Sequence, residues 1–137
     1  MSFLKMLSKK SRILEKEIQE GEKKGKELFL KAIQFNQVGN QSEAIRLFGE
    51  SIGEGPYHSA VYLNRGACLM IQERYLEAFD DFKMAIDLEN SGKSVDEESA
   101  KESALGNIKI LEPMLGFERK NGELVRGQLK DDGIERF

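Results

Sequence analysis

The chain has 137 residues and a formal net charge of −3, with 39% hydrophobic and 33% charged residues. Its length suffices for one hydrophobic core, and its mildly acidic balance argues against a nucleic-acid-binding surface. It contains no apolar run of about 20 residues that would span a membrane, no secretory signal is recognised, and its single Cys68 cannot form an internal disulfide, so we expect a cytoplasmic protein.

The first 24 residues are predicted to form a basic, amphipathic helix. Leu4, Leu7, Leu14 and Ile18 recur at helical spacing among Lys and Glu side chains. Residues 1–12 contain four basic side chains and no acidic one, which fits either packing on the first repeat or contact with an anionic membrane surface or an acidic partner. Two glycines, at positions 21 and 25, predict a joint between this helix and the next unit.

The central part of the chain matches itself at a spacing of 34 residues. In the first half of each unit, large apolar residues surround a small one: Leu28, Ala32 and Phe35, then Tyr62, Gly66 and Leu69. The small Ala32 or Gly66 predicts a point where a second helix approaches closely. In the second half the matching apolar residues are Ala44, Ile45, Phe48 and Ile52, then Ala78, Phe79, Phe82 and Ile86. This period predicts two antiparallel helical hairpins, with turns at residues 38–41 and 72–75.

These residues resemble the tetratricopeptide repeat (TPR) family. Residues 39–56 are similar to the second half of one repeat, and residues 62–86 to a nearly complete second repeat. The chain departs from the family pattern at Ser51, where Ala is usual, and near Glu89, where the closing Pro is missing. The resemblance covers about half of the chain and implies an all-α solenoid of two repeats, at about residues 25–58 and 59–92.

Two repeats require capping helices, because each hairpin hides its apolar face only against a neighbour. Ala100, Ala104, Ile108 and Leu111 fall at helical spacing and predict a cap at about residues 95–115, so that the repeat domain spans residues 25–115. For the charged tail, residues 116–137, we expect either a mobile segment or a small hairpin, with Phe137 available for docking.

The TPR resemblance implies that the first helix of each hairpin lines a concave groove. Carried over position by position, the groove residues are Phe29, Ile33, Asn36, Gln37, Leu63, Asn64, Ala67, Met70 and Ile71. Such an apolar patch is ordinarily covered, either by an amphipathic helix or extended peptide of a protein partner or by one of the chain's own tails. The three amide side chains are expected to fix the peptide backbone.

A known use of TPR grooves is a two-carboxylate clamp for the acidic C-termini of heat-shock chaperones. Asn64 matches one clamp position, but Phe29 and Ile33 stand at first-helix positions where the clamp has side chains that hydrogen-bond a carboxylate. For Asn64 the alternative is a structural role, in which its side chain buttresses neighbouring helices.

The sequence shows no constellation typical of catalysis, metal binding or a cofactor. His58 is predicted to be a capping or surface residue, and Cys68 a packed one. Asp80 and Asp81 point about 100° apart on a helix, which is a poor geometry for a shared metal. We therefore expect a non-enzymatic, cofactor-free interaction module, such as an adaptor, scaffold or co-chaperone-like protein.

Two further hypotheses stay open. The groove or the N-terminal stripe could bury itself against a second copy of the chain, which would make the protein a self-associating assembly element. Alternatively, residues 1–12 could tether the chain to an anionic membrane surface.

Overall fold

The computed structural model describes residues 2–55, 58–92, 100–120 and 123–126. These residues form five α-helices followed by a two-stranded antiparallel sheet. The elements are α1 Phe3–Gln37, α2 Gln41–Glu54, α3 Ser59–Ile71, α4 Tyr75–Asn90, α5 Lys101–Met114, β1 Phe117–Lys120 and β2 Glu123–Arg126. The prediction of a helical fold is confirmed, and of the two alternatives for the tail the small hairpin is observed. Phe137 lies outside the described residues.

Both predicted turns are present, and the same hydrogen bonds close them 34 residues apart. The Asn40 N–H donates to the Phe35 carbonyl at 2.9 Å, and the Arg74 N–H donates to the Leu69 carbonyl at 2.9 Å. A shorter bond lies inside each of these, from residues 39 and 73 to the carbonyls of residues 36 and 70, at 3.0 and 2.9 Å. This nested pair is the Schellman ending of a helix. The sequence repeat is therefore also a repeat of backbone geometry.

The second residue after the end of α1, and likewise of α3, adopts a left-handed backbone conformation. Gly39 has φ of 82°, and Glu73, its counterpart 34 residues later, has φ of 60°. Glycine reaches this region without strain, whereas a residue with a Cβ does so at a cost. The second turn thus has the geometry of the first, although glutamate suits this backbone conformation less well than glycine.

The predicted joint at Gly21 and Gly25 is wrong, because α1 runs through both positions without a break. Both glycines serve a close helix contact instead. A Cβ placed on Gly25 would lie 3.1 Å from the Gly55 carbonyl oxygen, and one on Gly21 would lie 3.0 Å from the Glu54 carbonyl oxygen. The Ser51 hydroxyl also donates a 2.7 Å hydrogen bond to the Gly25 carbonyl. The missing side chains therefore let α2 approach α1.

The core consists of two clusters that share side chains of α2. One cluster lies between α1, α2 and α3 and contains Ala32, Ala44, Leu47, Phe48, Val61 and Cys68. The other lies between α3, α4 and α5 and is centred on Phe79, Phe82, Ile108 and Leu111. Ile45 and Ile52 pack against both clusters. The two hairpins are joined through α2.

Helices that follow one another in the chain pack together throughout. Additional contacts connect α1 with α3 and α3 with α5, whereas within the described residues α2 and α4 do not touch. At the crossing of α3 and α4, a Cβ on Gly66 would lie 2.7 Å from the Phe82 ring. The prediction that a small residue permits close approach there is confirmed.

The C-terminal end of the bundle is covered by α5 and the hairpin. The predicted apolar face of α5 is confirmed, since Ala100, Ala104, Ile108 and Leu111 are buried; the part of the predicted cap before Ala100 lies outside the described residues. The Phe117 ring of β1 stacks on Phe79 of α4 at 5.3 Å.

A single carboxylate connects α3, α4 and α5. Glu89 Oε1 accepts hydrogen bonds from the Ser59 hydroxyl at 3.0 Å and from the Ala100 N–H at 2.5 Å. Ser59 begins α3, Glu89 lies in the last turn of α4 and Ala100 caps α5. The start of α5 is thereby held against the preceding hairpin.

Candidate functional site

The residues predicted for the groove lie on α1 and α3, and many of them also contact the core. Phe29 and Ile33 of α1 are half-buried and pack against the cluster between α1 and α2. The Phe29 ring lies 5.8 Å from the Phe48 ring in a tilted arrangement. These two side chains support the hairpin with one side and present the other to the surface.

The predicted residues on α3 become more exposed toward the end of the helix. Leu63 and Met70 are half-buried and pack against the second cluster, and Ala67 is also half-buried. Ile71, in the last position of α3, is 62% exposed. Ile71 is thus the apolar side chain of this set that is most available to a partner.

The three predicted amides occupy different settings. Asn36 Oδ1 accepts a 2.9 Å hydrogen bond from Gln41 Nε2, across the first turn. Asn64 Nδ2 donates to the Ala60 carbonyl of its own helix at 2.7 Å, so its described hydrogen bond does not buttress a neighbouring helix. Gln37 is exposed at the end of α1. Asn64 Oδ1 and the Gln37 side chain are the polar groups that this face offers to a ligand.

Comparison of the chain with protein-family models, with curated proteins and with solved structures finds no match. The function has to be inferred from the residues of the chain itself.

A partly buried ion pair joins α3 to α4, and the sequence interpretation missed it. The Arg65 guanidinium donates two hydrogen bonds of 2.7 Å to the two oxygens of Asp81. The Asp81 side chain is only 7% exposed, and the Arg65 guanidinium also lies 5.6 Å from the centre of the Tyr62 ring. The bond to Asp81 raises the pKa of Arg65 above its ordinary value. The sequence did contain an indication of this pair, because Asp81 lies on the same buried face of α4 as Ala78 and Phe82. A buried carboxylate requires a positively charged partner.

This ion pair forms the wall of an open cleft of about 320 Å³. The cleft is also lined by Ile45, Leu69, Arg74, Glu77 and Asp80. Of its five charged side chains four are paired within the described residues, because Arg74 pairs with Glu77 at 2.6 Å in addition to the pair described above. This hydrogen bond lowers the pKa of Glu77. The cleft therefore carries one excess negative charge, that of Asp80, which disfavours an anionic ligand.

Cys68 lies in the core, and His58 lies at the start of a helix. Cys68 is fully buried, which confirms its predicted packing, and burial raises the pKa of its thiol, so the reactive thiolate is disfavoured. His58 occupies the cap position that precedes α3. In the described ranges, His, Cys, Asp and Glu side chains form no group of three that could hold a metal ion.

The first half of α1 is a second exposed surface. All residues from 2 to 20 are exposed, apart from Leu7, whose side chain lies outside the described part. Packing of this segment on the first repeat, one of the two sequence interpretations, is therefore wrong. The last turn of α2 reaches along α1 as far as Gly21, so residues 3–20, which we call the α1 arm, project beyond the bundle.

The arm carries apolar side chains despite its exposure. Leu4 is 76% exposed, Leu14 58% and Ile18 59%. None of the helices in the described ranges, α1 included, combines the length with the apolar character needed to cross a bilayer.

Proposed function

We propose that the chain is a TPR-like interaction module that binds a peptide or helix of a protein partner along α1 and α3. The observation that carries the proposal is the recurrence of one helical hairpin, with the same turn hydrogen bonds, at a spacing of 34 residues. A period of this length, repeated in both sequence and backbone, is typical of stacked helix-turn-helix units.

The packing of the helices supports a concave side formed by α1, α3 and α5. These first helices touch their counterparts in the next unit, whereas α2 and α4 do not touch within the described residues. A curved stack brings its inner helices together and separates its outer ones, and the inner face is the usual binding surface of such proteins. The predicted groove residues lie on these inner helices.

The chemistry of this face favours a partner with apolar side chains. Phe29, Ile33 and Leu63 are half-buried and Ile71 is largely exposed, so a ligand helix or strand would cover apolar surface that the fold leaves in water. Gln37 and Asn64 Oδ1 would hydrogen-bond the ligand backbone. The chaperone clamp is not part of this proposal, because Phe29 and Ile33 cannot donate hydrogen bonds to a carboxylate.

Site-specific photo-crosslinking in lysate tests the proposal. A crosslinking residue is placed at Ile71 on α3 or, as the matched control, at Met84 on α4, which is also an exposed apolar position. We expect a discrete protein adduct from position 71 that excess unlabelled protein competes away, and no such adduct from position 84.

The captured partner then allows the affinity to be measured. Ile71→Arg should weaken binding at least about tenfold, the size of an interface contact worth about 1.4 kcal/mol, while Met84→Arg leaves the affinity unchanged. Equal adducts from both positions, or equal affinities of the two variants, would contradict binding along α1 and α3.

A further inference from the structure

Four of the seven apolar residues of the α1 arm follow a heptad pattern that continues through the rest of the helix. One position of the heptad is occupied by Leu4, Ser11, Ile18, Gly25 and Ala32, and the other by Leu7, Leu14, Gly21, Leu28 and Phe35. Two positions that alternate at spacings of three and four form the seam along which two helices pair.

The C-terminal part of this seam is already occupied by a helix. From Gly21 to Phe35 the seam faces α2, since Gly25 and Ala32 are buried and Leu28 packs against the cluster formed by α1, α2 and α3. Leu4, Ser11, Leu14 and Ile18 of the same seam are exposed, because α2 ends at Glu54. The arm thus extends a helix-pairing surface by 18 residues, about 27 Å of helix.

The charges beside the uncovered seam complement one another. Lys10 and Glu17 lie on one flank of the seam, two helical turns apart, and Glu15 lies on the other flank. If two arms pair in parallel, Lys10 of each faces Glu15 of the other; if they pair antiparallel, it faces Glu17. Either orientation gives two attractive contacts, whereas the same acids would lie against the headgroups if the seam rested on an anionic bilayer.

We propose that the α1 arm pairs with the arm of a second copy of this chain, forming a dimer through the seam of Leu4, Leu7, Leu14 and Ile18. The seam spans only two and a half heptads and includes one polar position, Ser11, so the dissociation constant should lie in the micromolar range. The surface used is separate from the face proposed for the partner on α1 and α3, and either proposal can fail without the other.

Sedimentation equilibrium of the full chain, up to concentrations on the order of 100 µM, tests the pairing. The wild type should pass from monomer to dimer, whereas Leu14→Asp, on the seam, should raise the dissociation constant at least tenfold. The matched control Gln19→Asp introduces the same charge on the exposed helix face away from the seam and should dimerise like the wild type. Circular dichroism checks that both variants keep their helix content, which is expected because positions 14 and 19 are exposed.

A charge exchange tests the flanking contacts. Lys10→Glu and the double variant Glu15→Lys/Glu17→Lys each place like charges across the seam in both orientations, so each alone should dimerise at least tenfold more weakly than the wild type. An equimolar mixture should restore a dimer of about wild-type affinity that contains one copy of each, as seen by native mass spectrometry.

Three results would overturn the proposal. A wild type that stays monomeric at all these concentrations excludes the dimer. Equal dimerisation of Leu14→Asp and the wild type places the contact elsewhere on the molecule. Binding of a monomeric wild type to phosphatidylserine vesicles, sensitive to salt and lost in Leu14→Asp, assigns the seam to a membrane surface instead.

Discussion

Glu73 occupies the backbone position at which its counterpart in the first hairpin is a glycine. The left-handed conformation of residues 39 and 73 lets the two nested hydrogen bonds form at the end of each first helix. The sequence predicted both turns from their period, although only the first contains strong turn residues. What could not be predicted was that a glutamate accepts the strained conformation, because that depends on the hydrogen bonds gained by the whole turn.

Substitutions at positions 39 and 73 should have opposite effects on stability. Gly39→Ala places a Cβ at positive φ and should lower the free energy of unfolding by about 1 kcal/mol. Glu73→Gly removes that strain but adds freedom to the unfolded chain, so we expect a net gain of about 0.5 kcal/mol. Urea denaturation at neutral pH measures both changes. A loss of stability in Glu73→Gly would show that the glutamate side chain contributes more than its backbone costs.

The ion pair between α3 and α4 supports a second prediction at the level of single residues. Asp81→Asn leaves the Arg65 guanidinium partly buried without its counter-charge and should lower the free energy of unfolding by about 2 kcal/mol. The neighbouring Asp80 is exposed, so Asp80→Asn should stay within about 0.5 kcal/mol of the wild type. Thermal and urea unfolding of the two variants give the comparison. Equal stabilities of the two variants would mean that the buried pair contributes nothing net.

Among the helices, the contact between α1 and α2 differs most from its sequence interpretation. Because glycine lowers helix propensity, the sequence predicts an interruption of the helix at positions 21 and 25. A pattern of residues shows that a side chain is missing but not whether a neighbouring backbone takes its place. Only the position of the Ser51, Glu54 and Gly55 carbonyl groups relative to α1 decides between a joint and a close contact.

Alanine substitutions distinguish these two roles of glycine. In Gly25→Ala the new methyl group meets the Gly55 and Ser51 carbonyl oxygens at 3.1 and 3.4 Å, and we expect the free energy of unfolding to fall by about 1 kcal/mol despite the better helix propensity. Gly53 is the control, because a Cβ there meets nothing within 4 Å. Gly53→Ala should therefore raise the free energy of unfolding by about 0.5–1 kcal/mol. A stabilising effect of both substitutions would show that α2 can move away from α1 at little cost.

For the molecule as a whole, apolar periodicity predicted which helices exist and which faces they bury. Ala44, Phe48, Ala78 and Phe82 were placed on buried faces by the repeat alone, and all four are fully buried. The position of α1 relative to the bundle could not be predicted in this way. Leu14 and Ile18 have the spacing of core residues, but α2 is too short to reach them. The apolar periodicity of a helix does not predict how far the neighbouring helix extends along it.

The buried thiol of Cys68 predicts how the stability of the whole molecule depends on alkaline pH. Its pKa is raised in the folded state by burial, so folding favours the neutral thiol. The resulting stabilisation is fully present below the pKa of the unfolded thiol and is lost as the pH rises through the folded-state value. The free energy of unfolding should therefore decline as the pH rises above about 8.5, the ordinary pKa of a cysteine thiol, and Cys68→Ala should decline less steeply there. Parallel slopes of the two proteins would show that Cys68 is not the group responsible.

The unbroken course of α1 through the bundle and the arm has a consequence for the cost of ordering the arm. A short helix in water is rarely stable alone, since its first turn must be nucleated without enough hydrogen bonds in return. In this chain the nucleus is supplied where α1 packs on α2, and the arm needs only to propagate a helix that already exists. A peptide of residues 2–20 should thus be mostly unfolded in solution, whereas the same residues in the intact chain are helical before any partner arrives. Whatever binds the arm meets a surface whose conformational entropy has already been lost.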